Sequence, residues 1–122
     1  MLVSDIETSV RPQINDTDAT DYNWASTTHF VPACAFAQRV ILRLCPNARL
    51  DSKGEKLRDL TAITAASSAF IFLSDQEDLY RDPVEAFVKH WLYQAETEDG
   101  PDIAKAVNFY KMGLAYLKGS NG

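Results

Sequence analysis

The sequence predicts a mainly α-helical fold, a small antiparallel bundle of about four helices. Apolar residues recur at alternating spacings of three and four in three long stretches, and this rhythm draws one apolar stripe along each helix. Residues 47–73 break the rhythm and predict a short β-hairpin or an extended arm inserted between helices 2 and 3. We therefore expect one domain over residues 1–122, with 47–73 as a connecting insertion and 120–122 as a tail.

The length and composition of the chain are those of an ordinary globular domain. The chain has 122 residues, of which 46% are hydrophobic, enough to build a core. It has no run of about 18 apolar residues, and its first residues lack the basic start and apolar middle of a secretory signal. These features predict a soluble intracellular product with no membrane contact. Cys34 and Cys45, some ~16 Å apart on one helix, are expected to be buried thiols rather than a disulfide.

The first predicted helix is short. Ser4 followed by Glu7 has the spacing of a capping box, and Pro12 is expected to end or bend the helix. The positions expected to face inward are Ile6, Val10 and Ile14. A polar stretch, 15–23, then predicts a surface loop, and Trp24 is expected to pack on the next helix, with a partner-facing role as the alternative.

The second predicted helix, within 24–48, is the element around which we expect the chain to be organised. Pro46 ends it, and Ser26 or Thr28 can cap its start. Because Pro32 suits a first helical turn, the regular helix begins near Thr28, or it begins at Ser26 and is distorted there. The predicted apolar stripe consists of Phe30, Cys34, Ala37, Ile41 and Leu44.

The connecting segment allows two interpretations. Its start is hydrophilic and contains Gly54, which predicts a loop. Residues 57–73 can be helical, with leucines on one side, or extended, with Ser67 and Ser68 at a turn. The run 69–73 consists mainly of good strand formers, so a β-hairpin or a single strand is favoured.

The last two helices have clear start signals. Asp82 can cap a helix with Pro83 in its first position and Glu85 in its third. A short loop, 96–101, then leads to a final helix that Gly119 can end, so the two helices should lie antiparallel. The expected inward positions are Val84, Phe87, Val88, Trp91, Leu92 and Ala95 in the third helix, and Ile103, Val107, Tyr110, Leu114 and Leu117 in the fourth.

No pattern in the sequence predicts chemistry. His29 and His90 lie far apart in the chain without further metal-ligand types at helical spacing, and no nucleotide-binding glycine motif is present. Cys34 lies on an inward stripe, where burial removes a thiol from substrates. The expectation is a non-enzyme with no cofactor and no metal.

Charge is unevenly distributed along the chain. The net charge is −5, yet 39–58 contains six basic and two acidic residues, a local +4 that leaves −9 elsewhere. Such a segment suits docking to an acidic neighbour or to another copy, and the alternative is a solvated face. The candidate interface residues are Arg39, Arg43, Arg49, Lys53, Lys56 and Arg58, with Phe70, Phe72 and Tyr80 as anchors unless these aromatics belong to the core.

Two blocks of sequence resemble a known family. The first is Trp24 and Ser26, then Gln38-Arg39, then Pro46-Asn47-Ala48, and the second runs over 72–119. Both are similar to the head-to-tail adaptor (connector) proteins of tailed bacteriophages. The resemblance implies a structural virion protein at the head-tail junction, made in the cytoplasm of the bacterial host. It also implies a ring, usually a dodecamer, beneath the portal protein, which extends the DNA channel, docks tail or stopper proteins and touches passing genomic DNA without reading its sequence.

Two rival functions remain open at this stage. One is a small helical assembly chaperone or regulator that binds one protein partner transiently and stays outside the virion. The other is a DNA-binding regulator that uses the basic segment, although no aromatic residues are interleaved with its basic residues.

Overall fold

Four α-helices make up most of the computed structural model, which describes residues 1–95 and 100–121. They are α1 (Val3–Gln13), α2 (Val31–Leu44), α3 (Glu77–Gln94) and α4 (Ile103–Asn121). A π-helical turn, Ser26–Phe30, leads into α2, and a 3-10 turn, Pro46–Arg49, follows it. The predicted mainly α class is confirmed for the described residues.

Helix α1 buries the predicted positions Ile6, Val10 and Ile14. Its start differs from the prediction, because the Asp5 carboxylate accepts the N–H of Leu2 at 2.8 Å. The predicted Ser4–Glu7 capping box is not formed, since the Glu7 carboxylate is engaged by Arg11 and Ser26 instead.

A buried polar network ties α1 to the loop that follows it. The guanidinium of Arg11 contacts the carboxylates of Glu7 at 2.6 Å and Asp16 at 2.7 Å. Asp16 in turn accepts the backbone N–H of Trp24, and the Trp24 indole donates to the carbonyl of Leu92 at 2.7 Å. Trp24 is therefore a buried core residue that donates a hydrogen bond to a carbonyl in the last turn of α3.

Helix α2 starts with the distortion that Pro32 predicted. The π-helical turn spans Ser26–Phe30, and Pro32 then lies in the first turn of the regular helix. Four positions of the predicted stripe are fully buried, but Leu44 is 49% exposed. The four buried positions are Phe30, Cys34, Ala37 and Ile41.

Helix α3, rather than α2, is the centre of the fold. It packs against α1, α2 and α4, and its middle is buried on nearly all sides. It begins at Glu77, so the predicted start at Asp82 is wrong and Pro83 lies inside the helix. The extra first turn is held by Tyr80, which is buried and stacks on Phe72 at 4.6 Å between ring centroids.

Helix α4 returns antiparallel to α3, as predicted. His90 contacts the carbonyl of Ala106, while Phe87, one turn earlier in α3, packs on Gly113, two turns later in α4. A Cβ at Gly113 would lie 2.7 Å from the Phe87 ring, so the two helices approach closely there. The helix continues to Asn121, so Gly119 does not end it, and 120–121 belong to the helix rather than to a tail. Most of the predicted loop, 96–99, lies outside the described residues.

The face of α4 that is turned towards the core also differs in part from the prediction. Its buried positions are Ala106, Gly113 and Leu117, whereas Ile103 is 56% and Val107 44% exposed. Of the predicted inward positions, Leu117 is buried and Tyr110 packs on Phe87, so these two are confirmed, whereas Ile103, Val107 and Leu114 lie at the exposed edge. The close approach of α3 at Gly113 turns the side with Ala106 and Gly113 inward.

The predicted β-hairpin is not seen in the connecting segment 47–73. Leu50 and Leu57 form one isolated antiparallel bridge, and Ala69 bridges to Leu2. The hairpin prediction failed because the β-prone run 69–73 pairs at its start with the first residues of the chain. Around the Leu50–Leu57 bridge, the N–H of Arg58 donates to the carbonyl of Arg49 at 2.7 Å, and side chains bond to other backbone groups of the segment, as described below.

Candidate functional site

A groove lies between the outer face of α2 and the connecting segment. It consists of two adjoining cavities of about 330 and 320 Å³, which share Arg39, Leu42 and Leu60. We call it the α2 groove. Its lining residues are Ala35, Gln38, Arg39, Leu42, Arg43, Pro46, Arg49, Leu57, Leu60, Thr61, Ala62 and Ile63.

The groove is apolar and open to solvent. Leu57 is 58% exposed and Leu60 is 63% exposed, the two highest values among the large apolar side chains described. Leu42, which is half-buried, also lines the concavity. Exposed apolar side chains that share one concavity are typical of a surface that another molecule covers.

Two unpaired arginines flank this apolar lining. Arg39 and Arg43 are exposed and stand one helical turn apart on α2, about 6 Å along the helix axis. Neither forms a hydrogen bond or an ion pair with residues 1–95 or 100–121. Of the six predicted basic residues, Arg39, Arg43 and Arg49 line the groove, and Arg49 alone of these three is bonded to another described residue.

Arg49 and Arg58 have a structural role instead. The Arg58 guanidinium donates to the carbonyls of Ala48, Leu50 and Ile71, at 3.0 Å for Ala48 and 3.1 Å for Leu50. Arg49 donates twice to the carbonyl of Arg58, at 2.8 and 3.1 Å. These bonds add to the backbone pairing around Leu50 and Leu57 and hold the wall of the groove in place.

Gln38 is a positioning residue that the sequence did not reveal. Its amide nitrogen donates to the carbonyl of Thr61 at 2.8 Å, and its amide oxygen accepts the N–H of Ile71 at 2.9 Å. A glutamine only 6% exposed on an apolar helix is a signal for such a role, because a buried amide requires partners.

Lys53 and Lys56 lie at the tip of the turn 51–56, and both are exposed. Asp51 organises this turn by accepting the backbone N–H groups of Lys53 and Glu55. The bond from Glu55 in particular lowers the pKa of the Asp51 carboxyl. Neither lysine is among the residues that line the α2 groove.

The three predicted aromatic anchors lie in the core of the chain itself. Phe70, Phe72 and Tyr80 are 5–6% exposed and stack on one another in sequence, with centroid distances of 6.1 and 4.6 Å. The core alternative holds for them in this structure, so they do not contribute to an exposed surface.

A second apolar surface runs along the edge of α4. Ile103, Val107 and Leu114 are 56%, 44% and 37% exposed and fall on one face of the helix. We call it the α4 stripe. The sequence predicted these residues as core. That prediction was wrong because the apolar pattern does not reveal that α3 approaches α4 on the adjacent face, at Gly113.

The reactive side chains elsewhere are engaged or buried. Burial raises the pKa of the Cys34 thiol to about 12, and His90 contacts the carbonyl of Ala106 at 2.7 Å. Among residues 1–95 and 100–121, no three His, Cys, Asp or Glu side chains are grouped so that they could hold a metal ion. In the same residues no helix is both long enough and apolar enough to span a bilayer.

No family model, curated protein or solved structure matches this chain. Three of the residues on which the expected resemblance to phage adaptors depends have structural roles here, while Arg39 lies in the α2 groove. Trp24 bonds to α3, Gln38 fastens the connecting segment, and Ala48 is fully buried. These three positions therefore serve the fold of this chain, while the α2 groove and the α4 stripe are features of its surface.

Proposed function

We propose that this chain is a structural adaptor that docks other protein chains, and that it serves at the head-to-tail junction of a tailed bacteriophage. The observation that carries the proposal is the α2 groove, in which exposed Leu57 and Leu60 lie beside the unpaired Arg39 and Arg43. An apolar concavity flanked by unpaired cations suits an acidic, partly apolar protein surface.

The rigid wall of the groove supports a docking role. Arg58 and Gln38 fix the connecting segment by bonds to five backbone groups, so the concavity is present before any partner arrives. A preformed surface binds more tightly than a flexible one, because less conformational entropy is lost on association.

The presence of two surfaces supports an adaptor in particular. The α2 groove lies on the outer face of α2, and the α4 stripe lies on a helix that packs mainly on α3. A subunit placed between a portal and a tail must contact proteins on more than one side. The net charge of −5 also suits a channel wall past which DNA slides without being gripped.

Quantitative mass analysis of purified virions of the phage that encodes the chain tests this proposal. The adaptor function predicts a fixed number of copies per particle, comparable to that of the portal protein, and co-migration of the purified chain with portal rings. Absence from the particles, together with binding to one assembly protein only, would favour the transient chaperone. Salt-sensitive binding to duplex DNA would favour the regulator.

A further inference from the structure

We infer that the α2 groove binds the acidic start of helix α3 from a second copy of this chain. The inference rests on the proposed function, since it names the surfaces through which copies of the adaptor would join. Its occupant is the α3 acidic face, defined as Asp75, Asp78, Leu79 and Asp82.

The α3 acidic face is exposed. Asp75, Asp78 and Asp82 are all exposed, and Leu79 is 49% exposed. Neither Asp78 nor Asp82 forms a hydrogen bond or a short ion pair with the rest of the described chain. The face therefore presents carboxylates around one protruding leucine, which is the chemical complement of the groove.

The spacing of charges matches on the two surfaces. Arg39 and Arg43 are four residues apart on α2, and Asp78 and Asp82 are four residues apart on α3, so each pair spans about 6 Å along its helix. With the two helices antiparallel, Arg39 meets Asp82 and Arg43 meets Asp78. Leu79 then enters the apolar part of the groove.

The contact is heterologous, because the groove and the acidic face are different surfaces of one chain. Each copy that offers its acidic face to one neighbour leaves its own groove open to the next. Repetition of such a contact gives a closed ring if the rotation closes and a filament if it does not.

Complementary charge reversal tests the contact with the full chain. The groove variant is R39E/R43E, and the face variant is D78K/D82K. In each variant alone, like charges meet, so its self-association constant should fall more than about a hundredfold relative to the wild type. When the two variants are mixed in equal amounts, every contact has opposite charges again, and association should return. Sedimentation velocity over a wide range of concentrations measures both effects.

Matched controls carry the same charge changes elsewhere. K53E/K56E alters two exposed lysines of the 51–56 turn, and D21K/E55K alters two exposed acids whose carboxylates bond to no described residue. Both should associate like the wild type. If either reversed variant fails to fold by circular dichroism, the neutral variants R39Q/R43Q and D78N/D82N replace it, with a smaller loss of association expected.

The outcomes separate this inference from the proposed function. A wild-type chain that stays monomeric at the highest concentration overturns the inference, as does a mixture of variants that stays dissociated. If such a chain is nevertheless found in virions beside the portal, the adaptor function stands and only the contact is wrong. Restored association in a chain absent from virions supports the contact and contradicts the adaptor function.

Discussion

Replacing Gly113 by alanine should destabilise the protein, although alanine is the better helix former. The new Cβ would lie 2.7 Å from Cε1 and Cζ of Phe87, whereas carbon atoms in contact are normally about 3.5–4.0 Å apart. Helix α4 must therefore move away by about 1 Å, or the ring must leave its place. Phe87 is fully buried and also packs edge-on against Tyr110 at 5.4 Å, so neither movement is easy.

The expected magnitude follows from two opposing contributions. Overpacking a core costs about 1–3 kcal/mol, while glycine to alanine inside a helix contributes about 1 kcal/mol of stability. The net loss in the free energy of unfolding should be about 0–2 kcal/mol, and we expect the upper half of that range because the buried ring cannot move easily. Urea denaturation followed by circular dichroism measures it.

Two further variants isolate the cause of this effect. A115G removes a methyl group from an exposed position of the same helix and should cost about 1 kcal/mol, which calibrates the helix-propensity contribution. In an F87L background, where the ring is gone, G113A should no longer destabilise. A G113A variant that is as stable as the wild type while Phe87 is present would refute the close-approach argument.

Three other perturbations test separate parts of the structure. R58A should lower the free energy of unfolding, measured by urea denaturation, by about 2–4 kcal/mol, because buried carbonyls lose their charged donor. The control R39A, at an exposed position, should stay within about 0.5 kcal/mol of the wild type. Equal losses in the two variants would contradict the structural role of Arg58. W24F should lose about 1–2 kcal/mol because the carbonyl of Leu92 is left without its indole donor, and an unchanged unfolding midpoint would argue against that bond. Burial raises the pKa of Cys34 from 9.0 to about 12, so the thiol stabilises the fold fully below pH 9 and this contribution is lost as the pH rises towards 12. At pH 8 native Cys34 should resist a thiol reagent that labels it after denaturation, and rapid native labelling would contradict its burial.

The sequence contained enough information for the helices and for the local distortion in α2. The spacing of Ile6 and Val10 placed the inner face of α1, and Pro32 indicated the irregular turn that precedes α2. These features depend on neighbours within about one helical turn, so the local pattern determines them.

Features set by distant contacts were not predictable in the same way. The start of α3 lies six residues before Pro83, nearly two helical turns, because Tyr80 stacks on Phe72, a contact that no local signal indicates. The phase of α4 depends on the approach of Phe87 to Gly113, and this approach moves Ile103 to the surface.

The candidate site was predicted only in part. The basic segment of the sequence contains the arginines that line the α2 groove, but the sequence did not show that Arg39 and Arg43 have no partner among the described residues while Arg58 binds carbonyls. Nor did it show that Leu57 and Leu60 stand exposed beside them, since both residues are equally suited to a buried strand. Which arginines bond to backbone carbonyls and which remain exposed depends on long-range contacts of the connecting segment.

The central claim is that the α2 groove is a preformed surface for another protein chain. A cryo-electron microscopy reconstruction of the chain assembled with the portal protein that we propose as its partner tests this most directly. We expect each groove to hold the start of helix α3 from the neighbouring copy, with Leu79 seated beside Leu60. A reconstruction in which the groove of every copy faces solvent would contradict the account.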